Sequence, residues 1–98
     1  MNSRTTARFR RALAGLPSLI RRRARQAYKR FRTDPQHPSL RFKSVHPSLP
    51  IYSVRVSKGC RALGRRAEQS EIVWFWIGSH AEYDRLVAQM RKPVEREE

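Results

Sequence analysis

The side chains in this sequence that are suited to chemistry are arginine, lysine, histidine and tyrosine. The three histidines and the single cysteine lack the spacing of a zinc site, and the four glycines are too scattered to form a phosphate-binding loop. No serine occupies the strand–turn–helix elbow of a nucleophile. The sequence therefore predicts a site that works without a metal or another bound cofactor.

These side-chain types suit the cleavage of RNA. Attack of a ribose 2′-hydroxyl on the adjacent phosphate needs a base, an acid for the leaving oxygen, and cations near the phosphorus. His80 falls in the first turn of a predicted helix, where the backbone N–H groups and the helix dipole favour an anion and disfavour imidazolium. Tyr83 follows one helical turn later. Arg55 and Arg61 fall on neighbouring predicted strands, on their less apolar side.

Each of these residues also has a purely structural interpretation. His80 suits an exposed position chosen by helix capping alone, and Tyr83 has the spacing of the apolar residues of its helix. Arg55 suits a solvated strand position, whereas Arg61 has small neighbours that leave space beside it. Cys60 is expected to be a small packed hydrophobe and not a nucleophile. The residue pattern leaves both interpretations of the site open.

The positive charge of the chain is concentrated in its first two-thirds. Of the 98 residues, 22 are Lys or Arg and 8 are Asp or Glu, which gives a net charge of +14. Residues 1–66 carry a net charge of +17, with Asp34 as their single acid, and residues 67–98 carry −3. Such a field attracts polyanions, and composition leaves open whether the partner is DNA, RNA, a ribosome or an acidic protein.

Length and composition predict one small domain over residues 1–92 and a charged tail over residues 93–98. The single cysteine, Cys60, excludes an intramolecular disulfide and favours a reducing compartment, so we expect a cytoplasmic protein. The uncharged runs Ser44–Val54 and Ile72–Ala81 are too short for a transmembrane helix. No membrane partner is therefore expected.

Two helices are predicted in the first third of the chain. Phe9, Leu13 and Leu16 recur at helical spacing in an arginine-rich stretch that ends near Pro17. A second apolar stripe consists of Ile20, Ala24, Ala27, Tyr28 and Phe31. This second pattern ends at Asp34-Pro35. Arginine and lysine cover the other faces, so we expect a helical hairpin with one apolar and one basic side.

The acid-free start of the chain has a second interpretation as a targeting segment. Ala12–Ile20, between arginines, resembles the core of a signal peptide, and the whole start resembles an organelle transit peptide. Gly15 and Pro17 weaken the signal-peptide interpretation. Tyr28 and Phe31 continue the apolar stripe, which favours a packed helix.

Four strands are predicted, over Leu40–Val45, Tyr52–Val56, Cys60–Gly64 and Ile72–Ile77. Lys58-Gly59 is expected to form a hairpin turn, and a polar turn is expected over Arg65–Ser70. The continuously apolar run Ile72–Ile77 predicts a central strand that is buried on both faces. His-Pro-Ser-Leu occurs at His37–Leu40 and again at His46–Leu49, and predicts turns and not a structural repeat.

A last helix is predicted after Gly78. Ser79 and Glu82 form a capping-box pattern at its start. Its apolar stripe consists of Tyr83, Leu86, Val87 and Met90. Two helices followed by consecutive strands and a short C-terminal helix are typical of an α+β fold with a mainly antiparallel sheet.

Four segments are together similar to one protein family. They are HPSLRFK at His37–Lys43, IYSVRVS at Ile51–Ser57, CRALG at Cys60–Gly64, and IVWFWIGSHAEYDRL at Ile72–Leu86. In this order they resemble the RelE/ParE superfamily, the small basic toxins of bacterial type II toxin–antitoxin pairs. The resemblance extends from about Thr5 to Leu86. Its most specific part is the apolar strand that leads into Ile-Gly-Ser-His-x-x-Tyr.

The resemblance implies a helical hairpin packed on a small curved sheet, and an acidic antitoxin that wraps the toxin in a hetero-oligomer. In the RelE-like branch, the toxin enters the ribosomal A site and cuts mRNA without a metal. The matching positions imply catalytic roles for Arg61, His80 and Tyr83. Contacts with the RNA are expected from Arg41, Lys43, Arg55 and Lys58.

Two alternatives and two departures accompany this resemblance. The ParE-like branch poisons DNA gyrase without such a catalytic set, and Arg61 together with His80 favours the nuclease branch. Some members of such families are no longer toxic, so the second alternative is an inactive basic nucleic-acid-binding relative. Cys60 stands where the family usually has an aromatic residue or histidine, so stacking of a base at this position is expected to be lost. Asn2–Thr6 is the only stretch available for the family's opening strand, which predicts a vestigial edge strand.

Overall fold

A computed structural model describes residues 1–68 and 70–91, and the expected tail over residues 93–98 lies outside these ranges. The helices are α1 (Ala7–Ala14), α2 (Ser18–Thr33) and α3 (His80–Arg91). The strands are β1 (Asn2–Thr5), β2 (Lys43–Ser44), β3 (Ile51–Ser57), β4 (Cys60–Glu68) and β5 (Glu71–Ser79), and a 3₁₀ turn spans Pro38–Leu40. Among the described residues, no helix has the length and apolar character needed to cross a membrane.

The strands form one mixed sheet in the order β1-β5-β4-β3-β2. β1 is parallel to β5, and the other neighbouring strands are antiparallel. α1 and α2 pack on one face of the sheet and α3 packs on the other, which gives two apolar clusters. The predicted α+β fold, with its helical hairpin, mainly antiparallel sheet and short C-terminal helix, is therefore confirmed.

Local signals fix the helical hairpin. Thr6 caps α1, its hydroxyl accepting a bond from the backbone N–H of Phe9 at 3.0 Å. Gly15 ends α1, and α2 begins directly after Pro17, which fixes the backbone ahead of the first turn. Phe9 and Phe31 are buried in the cluster between the hairpin and the sheet. The prediction of two packed amphipathic helices is confirmed.

The opening strand is formed and anchored. β1 pairs with β5 from Asn2 to Thr5. Ser3 is held from two sides, since its hydroxyl accepts a bond from Trp74 Nε1 at 3.0 Å and its carbonyl accepts a bond from the Tyr28 hydroxyl at 2.8 Å. The expectation of a vestigial edge strand is therefore wrong, because side chains of β5 and α2 complete the hydrogen bonding of a strand that is only four residues long.

Two other strand predictions are wrong in extent. β4 does not end at Gly64 but continues to Glu68, because Arg65 and Arg66 pair with β3 or β5 through their backbones while their polar side chains tolerate solvent. β2 covers only Lys43–Ser44 and not the whole of Leu40–Val45. Arg41, with φ of 48°, bends the chain out of the 3₁₀ turn and thereby shortens the strand.

β5 is a central strand, between β1 and β4, as its continuously apolar sequence predicted. Ile72, Trp74 and Ile77 are buried in the cluster on the helical-hairpin side. Phe75 and Trp76 are half-buried on the α3 side, so burial on that face is less complete than predicted. The register between β4 and β5 shifts at Gly64. This shift lets Ile77 point to the same face as Ile72 and Trp74, although their spacing is uneven.

Gly64 provides a test of this packing. A Cβ at position 64 would lie 2.6 Å from Trp74 Cε3 and 2.9 Å from Ile72 Cδ1, and both neighbours are buried. We expect Gly64→Ala to lower the free energy of unfolding by about 1–3 kcal/mol, because the core has no room for a methyl group.

Urea unfolding of Gly64→Ala beside Gly59→Ala measures this effect. Gly59 lies in the hairpin turn, and a Cβ at position 59 would have no atom within 4 Å, so this glycine is the matched control. We expect its substitution to change the stability by no more than about 0.5 kcal/mol. Equal midpoints for the two variants would contradict the packing described for Gly64.

Candidate active site

A cleft of about 220 Å³ lies between the start of α3, strands β3 and β4, and the segment that leads into β2. Its lining residues are Arg41, Lys43, Ser53, Arg55, Arg61, His80, Tyr83 and Asp84. The cleft brings together six of the seven residues that the sequence assigned to catalysis or RNA contact. Lys58, the seventh, lines a different cavity, on the other side of Arg55.

Arg61 is held in place by the β3–β4 hairpin. Its Nη1 donates to the backbone carbonyls of Ser57 at 2.7 Å and Cys60 at 3.1 Å. Arg55 is its direct partner across the two strands, and both side chains line the cleft. Burial lowers the pKa of Arg61 below its ordinary value, and the nearby charge of Arg55 lowers it further. An anion in the cleft would relieve both effects, since it would replace lost solvent and offset the repulsion.

His80 is positioned by the capping box at the start of α3. Ser79 Oγ accepts a bond from the backbone N–H of Glu82 at 3.1 Å, and Glu82 Oε1 accepts bonds from the backbone N–H of Ser79 at 3.1 Å and from its hydroxyl at 2.9 Å. The backbone N–H of His80 donates to the carbonyl of Gly59 at 2.9 Å, which joins the helix start to the hairpin turn. The predicted capping box is thus confirmed.

The imidazole of His80 is accessible and has two neighbours on its own helix. Its side chain is 49% exposed, and its Nε2 lies 3.6 Å from Asp84 Oδ1. Its ring stacks on Tyr83 at 6.0 Å between centroids and 18° between planes. Asp84 was not assigned from the sequence, although its spacing of four residues from His80 is the signal for such a contact. The carboxylate is placed to pair with the imidazole when this is protonated.

Tyr83 has a structural contact and also lies at the site. Its hydroxyl donates to Ser53 Oγ at 3.0 Å, and both residues are buried, being 7% and 2% exposed. The ring of Tyr83 therefore supports His80 while its hydroxyl is occupied within the protein. Ser53 was not assigned from the sequence. Its only signal is the strand alternation, which places it on the same face of β3 as Arg55.

Arg41 and Lys43 enter the cleft from a segment that two histidine turns support. His37 Nδ1 accepts a bond from the backbone N–H of Ser39 at 3.1 Å. His46 Nδ1 accepts a bond from the backbone N–H of Leu49 at 2.8 Å. Both copies of His-Pro-Ser-Leu thus use the histidine ring as a turn cap, which confirms the prediction that they are turns.

Cys60 points away from the cleft. It is buried in the cluster between the sheet and the helical hairpin, and this burial raises the pKa of its thiol while Arg61 opposes the rise. The prediction of a packed hydrophobe is confirmed. A side chain at position 60 faces the core and cannot reach a base in the cleft. Cys60 is therefore not the cause of a loss of base stacking.

The arrangement suits an anionic ligand such as a phosphate group. Four cationic side chains face one carboxylate, that of Asp84, in a cleft that also holds an accessible imidazole. Guanidinium and ammonium groups bind phosphate oxygens and stabilise charge that develops on them. Within residues 1–68 and 70–91, no group of three or more His, Cys, Asp or Glu side chains is placed to hold a metal ion.

Comparison with known proteins gives one family and several structural relatives. Residues 18–85 match the family model of the ParE-like toxin domain. The fold is similar to RelE in the RelB–RelE antitoxin–toxin complex from Methanococcus jannaschii, with a TM-score of 0.66, 15% identity, and coverage of 84% of this chain and 96% of the other. No curated protein matches the sequence.

Two bacterial toxins share the same fold. The isolated RelE toxin from E. coli has a TM-score of 0.58 and 15% identity, with coverage of 90% of this chain and 96% of that toxin. A copper-bound mutant toxin from Helicobacter pylori has a TM-score of 0.58 and 13% identity, with coverage of 84% and 97%. At such identities these likenesses establish the fold alone.

The bond between Tyr83 and Ser53 gives a first prediction for the site. We expect Ser53→Ala to lower the free energy of unfolding by about 1–3 kcal/mol, because it leaves a buried hydroxyl without its partner. In a Tyr83→Phe background, Ser53→Ala removes no such bond, so we expect it to lower the free energy of unfolding by less than half as much. Urea unfolding of the four proteins measures the coupling, and strictly additive effects would contradict it.

The capping box gives a second prediction, for the pH dependence of stability. Bonds from the backbone N–H and the hydroxyl of Ser79 hold the pKa of Glu82 below its ordinary value. The resulting stabilisation is complete above the pKa of the unfolded state and is lost as the pH falls through the lowered pKa of the folded state. We expect wild type to unfold at a higher temperature than Glu82→Gln at neutral pH.

Thermal unfolding of both proteins from neutral to acidic pH tests this sign. The two midpoints should converge in acid, because Glu82 is then as uncharged as glutamine. A difference that stays constant over the whole pH range would show that the charge of Glu82 does not contribute.

Proposed function

The chain belongs to the ParE-like toxin family of the RelE/ParE superfamily, and from the residues that meet in its cleft we propose that it is a ribosome-dependent, metal-independent mRNA endonuclease. The cleft is the observation that supports this proposal most directly. Arg61 from β4, His80 from α3 and Arg55 from β3 meet there, on a face that also receives Arg41 and Lys43. A gyrase inhibitor that acts by surface contact would not require this convergence.

The proposed reaction is attack of a ribose 2′-hydroxyl on the neighbouring phosphorus. The bond from the 2′ oxygen to phosphorus forms, the bond to the 5′ oxygen breaks, and the products carry a 2′,3′-cyclic phosphate and a 5′-hydroxyl. His80 takes the proton of the 2′-hydroxyl as a base, or gives a proton to the leaving oxygen as an acid. When His80 is the base, solvent or a cation of the cleft gives a proton to the leaving oxygen. When His80 is the acid, solvent takes the proton of the 2′-hydroxyl.

The remaining residues have distinct roles in this proposal. Arg61 binds the phosphate and stabilises its transition-state charge, since its guanidinium is already fixed by two carbonyls. Arg41, Lys43 and Arg55 contact the RNA backbone. Tyr83 orients the ring of His80 by stacking and not by proton transfer, because its hydroxyl is bonded to Ser53.

The proposed partners follow from charge and from the family. A net charge of +17 over residues 1–66 suits a ribosome with its mRNA in the cytoplasm, and also an acidic antitoxin that neutralises the toxin in a hetero-oligomer. The RelE of Methanococcus jannaschii is bound to an antitoxin in its structure, which supports an antitoxin for this chain.

One alternative has an observation in its favour. The matching family description is that of a ParE-like toxin domain, and the ParE-like branch acts on DNA gyrase. In this alternative, Arg61 and His80 serve only the fold or the surface charge. An inactive basic nucleic-acid-binding relative is a third possibility, and it predicts that the wild-type chain cuts no mRNA.

Substitution of Arg61 and His80 separates these functions. We expect Arg61→Ala and His80→Ala each to lower the rate of mRNA cleavage on purified ribosomes by about a hundredfold or more, because one removes transition-state charge stabilisation and the other removes proton transfer. A time course of cleavage, followed by primer extension at the cut sites, measures the rate. Arg85→Ala, an exposed α3 residue outside the cleft, is the control and should cut at the wild-type rate.

The same variants distinguish the alternatives in cells. Growth arrest that persists in the Arg61→Ala/His80→Ala double variant, without mRNA cuts and with inhibited gyrase supercoiling, would replace the nuclease with the gyrase inhibitor. Normal growth of cells that contain folded wild-type protein would identify an inactive relative.

A further inference from the structure

A second basic cavity, of about 380 Å³, lies between α2, the 3₁₀ turn and the β3–β4 hairpin. Its polar lining consists of Arg23, Gln26, Arg30, Ser39, Arg55, Ser57 and Lys58. Every one of these side chains offers hydrogen-bond donors, and none is a carboxylate. The cavity therefore has the composition of an anion site, although the catalytic proposal leaves it unused.

The cavity is partly preorganised. Arg30 Nη1 donates to Ser39 Oγ at 3.0 Å, and Ser39 Oγ lies 2.9 Å from His37 Nδ1. A chain of hydrogen bonds from the first His-Pro-Ser-Leu turn thus fixes a guanidinium at the rim. In the part of the chain that the structure describes, neither Arg30 nor the cations at positions 23, 55 and 58 form an ion pair with a carboxylate. Their charge is available to a ligand.

Arg55 connects this cavity with the cleft. It is half-buried and lines both of them. On the cleft side it is the cross-strand partner of Arg61, and on the other side it faces the cavity with Lys58. The two sites therefore form one continuous basic track at the β3–β4 hairpin. A ligand with regularly spaced anionic groups matches such a track.

We propose that the second cavity binds another backbone phosphate of the RNA strand whose reacting phosphate occupies the cleft. This proposal rests on the nuclease function and adds a subsite to it. Among the described residues, none that lines the cavity is aromatic and could stack on a base, so the subsite reads the backbone and not the sequence. An acidic protein segment is less suited, because the cavity offers little apolar contact: Leu40 is buried, and Ala27 and Val56 are half-buried.

Binding of uncleavable RNA tests the subsite independently of catalysis. The probes are a 2′-O-methyl dinucleotide, which has one internucleotide phosphate, and a 2′-O-methyl oligonucleotide of about eight residues, a typical single-strand site size. The cavity variant is Arg23→Gln/Arg30→Gln/Lys58→Gln. The matched control is Arg22→Gln/Arg25→Gln/Lys29→Gln, which removes the same charge types from exposed positions on α2 that do not line the cavity.

Fluorescence anisotropy over a series of salt concentrations gives the affinity and the number of phosphate contacts. For the longer probe, we expect the cavity variant to bind roughly tenfold or more weakly and its salt slope to fall by about 0.7, the value of one lost phosphate contact on a single strand. Dinucleotide binding should be unchanged, which also shows that the variant is folded. The control variant should retain most of its affinity and slope for both probes.

Three results would overturn the subsite. Equal losses of RNA affinity in the cavity and control variants would show that only the total charge matters. Wild-type affinity of the cavity variant for the longer probe would show that the cavity does not contact the RNA. Loss of binding to a polyglutamate peptide, with RNA binding retained, would assign the cavity to an acidic protein. Failure of the nuclease function has a different signature, namely dinucleotide binding that is insensitive to Arg61→Ala.

Discussion

The whole site depends on the pairing of β4 along both of its edges. β4 exchanges backbone bonds with β3 on one side and with β5 on the other, so its position in the sheet is fixed from Cys60 to Glu68. This pairing sets Arg61 beside Arg55 and opposite Gly78, just before the residue that begins the capping box of α3. The bond from the His80 N–H to the Gly59 carbonyl closes the arrangement. A shift of one residue would turn Arg61 into the core and Cys60 into the cleft.

The fold separates apolar and cationic surfaces so that a small chain can tolerate its charge. The apolar sides of α1 and α2 cover one face of the sheet, and their arginines remain in solvent, where repulsion is screened. In the cleft, burial and the nearby charge of Arg55 both lower the pKa of Arg61. Folding energy from the two apolar clusters holds these cations together, and an RNA phosphate or an acidic partner would relieve the strain. Sites that bind a charged ligand commonly accept such a cost.

The sequence predicted the elements whose signals are local. Helical periodicity located α1 and α2, and the Ser79–Glu82 capping box located the start of α3. The length of β4 was underestimated, because Arg65 and Arg66 look like turn residues until both neighbouring strands pair with their backbone. β1 was underestimated for a related reason, since the bonds to Ser3 from Trp74 and Tyr28 join residues far apart in the chain. Sequence patterns describe side chains, whereas long-range backbone pairing decided these two strands.

The chemical character of the site was a property of the sequence, and its assembly was not. Residue types, strand alternation and the capping pattern identified Arg55, Arg61 and His80 as candidates, because charge and facing direction are local properties. That the Tyr83 hydroxyl is bonded to Ser53 and that Lys58 belongs to a second cavity were decided by tertiary structure alone. These facts depend on which elements meet across the sheet, and that is fixed by packing and register, which no single segment specifies.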